Sequence, residues 1–462
     1  MKRDSFTLAI IKCLALLVLI AAPLAAQSKK DKEQAKKFQE DGDKAYGLKD
    51  YKGAAEAYDK SVLLIPSNSY VHYRKGFAHF NLKENDKAIT ELTLALTQGY
   101  KPPVEIYRIR YFIYFEQRNF DAALADIQKG LELTPNDINF LSATGEIYFA
   151  RQSYTEALAA YKKASLAAPN NADIFYNIAR VYFAANNAKE QAAAAEAALA
   201  KGTRFPGETH YLLGDAYQKL RNPAGAIEEF QKAISSRPDN LIAYRNLAEA
   251  YRSENRYNDA IAISKKGLQQ FGANGNIYTD LSWFYSLADR PNDAIEAAKA
   301  GISLLPSQSF AYTQLCRAYN DIKSFDQAIG ACNSALKLNP GDGETYFYLG
   351  RAYNLSGKTV EATKYYGLAV KGLEEYTKKN ETYSDGWYLL GNAYYADGQR
   401  DKATTSYREC LKWSPKFAKA RYNLGIIYTL MKNKPGASEQ YTALVRLDAK
   451  LAEQLKAAID KM

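Results

Sequence analysis

The stretch YFYLGRAYNLSGKTVEATKYYGLAV (346–370) decides how this chain folds. Its apolar residues recur three and four apart on both sides of a short polar break, the spacing of two amphipathic helices. A break of four to six residues makes the two helices antiparallel neighbours. The stretch is one of a series. Its Ala362 belongs to a run of phased alanines: Ala54, Ala88, Ala123, Ala157, Ala192, Ala226, Ala260, Ala294, Ala328, Ala362, Ala403 and Ala437. The steps are 34 or 35 residues throughout, except one of 41, and they define twelve units. A period of this length is the signature of stacked supersecondary units.

Other residues keep the same phase. A tyrosine stands nine places before most of the alanines, as at Tyr114, Tyr217, Tyr251, Tyr285, Tyr353 and Tyr394, and ten before in unit five, at Tyr182. Three residues before it comes a small side chain: Gly145, Ala179, Gly214, Ala248, Ser282, Cys316, Gly350, Gly391 and Gly425. Without bulk at that place and at the alanine, two helix backbones can approach closely. Prolines close many units (Pro66, Pro135, Pro169, Pro238, Pro306, Pro340, Pro415). Proline has no N–H to donate and pushes the preceding residue out of helical geometry. One helix pair cannot hide its apolar face alone, so the units must stack.

The aromatic, Leu-Gly, Tyr, Ala, aromatic, Ala and Pro marks resemble the tetratricopeptide repeat. They are clearest in YLLGDAYQKLRNPAGAIEEFQKAISSRP (211–238) and WYLLGNAYYADGQRDKATTSYRECLKWSP (387–415), and the likeness runs over about residues 35–448. It implies an all-α fold, a right-handed superhelical solenoid of antiparallel helix pairs. Units one to five occupy 35–206, units six to ten 207–376, and units eleven and twelve 384–448, after an insertion at 377–383. A charged linker, 27–34, precedes them, and a capping helix, 449–462, follows, with Leu451, Leu455 and Ile459 on one stripe. Three departures stand out: Tyr111 in place of the small residue, an Ala-rich unit five, and the insertion.

Residues 1–26 read as a secretory signal. Lys2 and Arg3 precede an apolar run, CLALLVLIAA (13–22), then Pro23 and the small pair Ala25-Ala26. An uncleaved membrane anchor is the competing reading. Either way the expectation is an exported chain, periplasmic or associated with the cell envelope.

Composition narrows the function. The chain is 47% hydrophobic and 24% charged, which excludes a disordered protein. A net charge of +10 is spread with both signs interspersed and forms no basic tract, so no nucleic acid is expected, and a membrane only through the N-terminal segment. His72, His79 and His210 fall in packing places without metal-ligand spacing. No phosphate loop, nucleophile elbow or Cys-x-x-Cys occurs, and no cofactor or catalytic activity is expected. Cys316 and Cys332 lie on the two helices of unit nine at facing places, and either a disulfide or two small buried hydrophobes fits them; Cys410 reads as buried and unpaired.

The resemblance implies that first helices line a concave surface on which protein partners or extended peptides lie. Carried over by position, that surface has two parts. Units two to five present an aromatic band of Tyr70, Tyr73, Phe77, Phe80, Phe112, Phe115, Phe149, Tyr176 and Phe183. Units seven to nine present Asn246, Asp280 and Gln314, and Arg180, Arg245, Arg252, Arg317 and Arg351 add positive charge suited to acidic partners. The family's carboxylate clamp is not reproduced, because Tyr388 stands where lysine is expected beside Asn392 and Asn423. The expected role is an interaction scaffold for proteins; the alternative is an envelope subunit that binds a glycan or transport cargo.

Overall fold

The computed structural model describes residues 28–462, so the signal or anchor segment at 1–26 lies outside the described residues. Among the described residues the regular elements are 25 helices, with no strand. They form two compact units, one up to Ala185 and one from Asn186 onward. Within each unit the same hairpin recurs. In repeat ten the first helix is Gly343–Leu355 and the second Thr359–Lys379; in repeat nine they are Ser309–Asp321 and Phe325–Leu338. The first helix of repeat ten packs on its own second helix, on the second helix before it and on the next first helix, as a stack requires.

The boundaries follow local chemistry. Side chains of Asn68, Asp137, Asn171, Asn240 and Asp342 cap first helices by accepting from backbone N–H groups of the first turn. Second helices end two residues before the closing prolines, as at Leu133 before Pro135 and Ser236 before Pro238, with the residue between them extended. Three residues join the helices of a repeat, fewer than the sequence suggests, because the middle one turns the chain by adopting a left-handed conformation. Lys49, Lys83, Arg118, Gln152, Asn186, Arg221, Asn255, Asp289, Lys323, Gly357, Gly398 and Lys432 all have φ between 54° and 81°. The N–H that follows then bonds to the carbonyl of the phased tyrosine, for example Ser324 N to Tyr319 O at 2.9 Å and Asn433 N to Tyr428 O at 2.8 Å.

Those turn residues precede the phased alanine by five places, and the count corrects unit five. Five places after Asn186 comes Gln191, fully buried, not Ala192. Its amide donates to Leu212 O at 2.6 Å and to Asp215 at 3.0 Å, so a polar side chain fills an alanine place by reaching into the next repeat. Two boundaries also change. The supposed charged linker 27–34 is helical from Lys29, because Ser28 and Asp31 form a reciprocal capping box at 3.0 and 3.1 Å. The insertion placed at 377–383 is instead taken up in register by the second helix of repeat ten, which runs 21 residues where the second helix of repeat nine has 14.

The small place on each first helix receives a large side chain sixteen residues later on the second. A Cβ at Gly145 would stand 2.8 Å from the Tyr161 ring, and one at Gly214 2.7 Å from Phe230. The pairs Gly42/Tyr58, Gly76/Leu92, Gly350/Tyr366 and Gly391/Tyr407 repeat the arrangement. In repeat nine the place holds Cys316 and Cys332, bonded as a disulfide with Cα atoms 5.2 Å apart. Cys410 is buried and free. Tyr111, too large for the small place, packs on Phe140 of the next repeat, with ring centroids 5.6 Å apart. The capping helix Ala449–Ile459 closes the second unit by setting Leu455 against Gly425.

Candidate functional site: the first-helix faces

Successive repeats are tied along the first helices by the polar residues that the sequence offers as binding groups. Arg74 meets Asp43 at 3.0 Å in the first unit, and Arg180 bridges back to Glu146 at 3.3 Å. In the second unit Arg245 pairs with Asp280 at 2.8 Å and Arg351 with Asp321 at 3.0 Å. Asn246 donates to the Tyr211 hydroxyl at 3.4 Å. Arg245, Asn246 and Asp280 line one small cavity of about 200 Å³ together with Glu249 and Trp283. Gln314 departs from the expectation of an accessible amide: it is 0% exposed and turns inward toward Glu344. Asn392 and Asn423 bond each other at 2.9 Å, and Tyr407 donates to Asn392 at 2.7 Å.

The aromatic band in the first unit is a ladder of ring contacts. Tyr73 stacks on Tyr100 at 4.2 Å and touches Phe77 at 4.6 Å. Phe80 meets Phe112 edge-on at 5.9 Å, Phe115 meets Phe120, and Phe149 meets Tyr154. The Arg180 guanidinium lies over Phe149 at 4.8 Å and over Tyr176 at 5.7 Å. Tyr70 and Phe112 are exposed, at 37% and 42%, while Tyr73, Phe77, Phe80, Phe115, Phe149, Tyr176 and Phe183 are half-buried. Phe80 and Phe112 thus join repeats two and three, the other ring pairs brace their own repeats, and Tyr70 and Phe112 keep apolar surface exposed.

In the second unit the first helices of repeats eight to twelve surround a partly enclosed cavity of about 490 Å³. Arg317, Arg351 and Tyr388 line it, and so do groups the sequence reading missed: Trp283, Glu344, Tyr348 and Lys419. They occupy the same first-helix faces, but nothing local in the sequence says that repeats so far apart converge. Contacts between distant repeats show that they do. Arg252 of repeat seven reaches Asp385 of repeat eleven at 3.1 Å, and Lys416 meets Glu254 at 2.8 Å. Arg221 donates to the carbonyls of Trp413 and Thr382 at 2.8 and 3.0 Å. Burial raises the Glu344 carboxyl to about 7 and lowers Lys419 to about 8.

The histidines are held by carboxylates: His72 by Glu91, His79 by Glu84 and His210 by Glu229, each at 2.6 Å. The bond from Glu91 leads the causes that raise the His72 pKa. Among the described residues no group of three or more His, Cys, Asp or Glu could hold a metal ion. No helix there is long and apolar enough to cross a membrane.

Three stretches of these hairpins match family models: residues 145–186 and 377–432 a TPR repeat, and residues 211–274 a tetratricopeptide repeat. The chain is a tetratricopeptide-repeat protein. Such repeats serve in general as surfaces for other proteins or peptides. No curated protein matches the chain. Among solved structures, MamA is 26% identical over 37% of this chain and 94% of its own, with a TM-score of 0.33. Yeast Tom70 is 16% identical over 85% and 96%, with a TM-score of 0.40. A tetratricopeptide repeat protein from Parabacteroides merdae is 13% identical over 55% and 98%, with a TM-score of 0.38. Scores this low carry nothing to this chain about partners.

Proposed function

We propose that this protein is an exported, non-catalytic scaffold of the cell envelope that holds partner proteins as extended segments on its first-helix faces. The observation that carries the reading is the ring ladder of the first unit. Tyr70 and Phe112 are exposed, Phe112 packs on Phe80 of the repeat before it, and exposed aromatic side chains of this kind are what partner side chains bury against. Export rests on the Lys-Arg start, apolar run and small-residue pair of residues 1–26. The polar first-helix residues act mainly by fixing one repeat against the next, so that the face is preformed.

The test is photocrosslinking in intact cells from a photoreactive residue at Phe112 or Phe77. A discrete captured polypeptide supports the reading. Capture of polysaccharide alone moves the assignment to a glycan-binding subunit, and capture of nothing at either position removes the ladder as a binding face.

A further inference from the structure

The cavity of the second unit contains charge that the fold leaves unmatched. Most of the arginines on these first helices already have carboxylate partners: Arg245 has Asp280, Arg351 has Asp321, and Arg252 has Glu249 and Asp385. Arg317 and Lys419 differ. Both line the cavity, and neither has a hydrogen bond or an ion pair among the described residues. Arg317 only lies over the Tyr348 ring, at 5.8 Å. The Ser286 hydroxyl also lines the cavity; the residue is 7% exposed, and its oxygen has no partner. Buried polar groups are ordinarily satisfied, so three unmatched donors around one space call for an acceptor.

The wall also carries rings, among them Trp283, Phe347 and Tyr388, and four acids, of which Asp321 pairs with Arg351 and Asp385 with Arg252, leaving Glu344 and Asp289. A volume of about 490 Å³ falls within the range that takes a small organic molecule. A ligand that joins an anion to a flat apolar body matches the two free cations and the rings together. We propose that the cavity is a binding site for an aromatic acid, whose carboxylate is held by Arg317 and Lys419 and whose ring lies among the cavity's aromatic side chains. The same chemistry has two sources: a free aromatic acid, or an acidic residue beside an aromatic one in a partner chain. This site is separate from the ring ladder of the first unit, and either can fail without the other.

The electrostatics agree. Burial, with Arg317 nearby, lowers Lys419 to about 8, against the weaker pull of Asp321, Asp289 and Asp448. Glu344, facing Asp342, Asp385, Gln314 and Arg317, is raised to about 7, so near neutral pH much of it is protonated and does not repel an incoming carboxylate. A bound anion restores the charged form of Lys419, and binding near pH 8 takes up protons.

The experiment is calorimetric titration of the full chain with phenylacetate and with the doubly blocked dipeptide N-acetyl-Asp-Phe-amide. Phenylacetamide and N-acetyl-Asn-Phe-amide serve as uncharged controls. Each acid should bind at least about tenfold tighter than its amide, since a charge-assisted bond contributes that much. Arg317→Met and Lys419→Met should each weaken the acid about tenfold or more, Lys419→Arg should retain binding, and Lys419→Met should abolish the proton uptake. A tighter dipeptide points to a partner segment and a tighter phenylacetate to a free acid. Acids that bind no better than amides, or no binding by any probe, overturn the proposal.

Discussion

Replacing Arg252 with methionine tests the second unit at its most consequential contact. The guanidinium is buried at 8% exposure, is held to Glu249 at 2.6 and 2.7 Å, donates to one oxygen of Asp385 at 3.2 Å and pairs with the other at 3.1 Å, and stacks on Trp283 at 4.4 Å. Methionine keeps much of the stem's packing but strands Asp385, itself 8% exposed, without a counterion. Removing one member of a buried pair costs about 3–5 kcal/mol, most of it the penalty on the charge left behind. The double change Arg252→Met/Asp385→Leu removes that penalty and should recover all but about 1 kcal/mol. The bond spans 133 residues of sequence, so the loss should appear as local opening of repeats eleven and twelve rather than uniformly along the chain. Native-state hydrogen exchange in the helix Ser384–Ala396 reads it. A single variant costing under about 1 kcal/mol, or a double variant no better than the single, would refute the reasoning.

The disulfide, the turn and small places, and Glu344 each carry an expected outcome. Denatured protein beginning after residue 26 should show one reactive thiol, Cys410, and reducing the Cys316–Cys332 bond, which closes a separation of 16 residues, should lower stability by about 3 kcal/mol in denaturant titration. Lys323→Gly, at a turn with φ of 63°, should stabilise by about 1 kcal/mol, because a side chain there opposes the left-handed backbone; Gly145→Ala should lose about 1–3 kcal/mol against the Tyr161 ring. Glu344 keeps a proton in the folded chain up to about pH 7, well after the unfolded chain has released it, so its contribution falls as pH rises from about 4.5 to 7. Glu344→Gln should flatten that part of the melting-temperature profile, by about 3 kcal/mol at most before solvent screening reduces it.

The hairpins were legible because each is written in a window of thirty-odd residues. The phased alanine, the small place and the closing proline act on neighbours in sequence, and the structure uses all three as contact and boundary. Gln191 escaped because an alanine happens to follow it, and only the turn geometry reveals which residue faces the core. Residues 27–34 read as a charged linker, yet a single Ser28–Asp31 box is enough to start a helix there. The cavity was illegible for a different reason. Arg252 and Asp385, or Arg221 and Trp413, meet across more than a hundred residues, and no periodicity encodes which repeats converge. Arginines that looked like free positive charge proved to be struts, and the unpaired Lys419 gave no sign in the sequence of its special place.

The sixteen-residue pairing of small with large has a consequence for how such a chain can be altered. Gly145 accepts only because Tyr161 projects, and Cys316 fits only because Cys332 answers it. Transplanting one helix from repeat four into repeat nine would set a tyrosine against a cysteine, or two small residues against a void. Whole hairpins can be duplicated, deleted or shuffled, whereas a crossover between the two helices of a hairpin breaks a matched set. Recombination that preserves folding is therefore confined to the junctions between hairpins, and chimaeras cut at the closing prolines should outlive those cut at the left-handed turns.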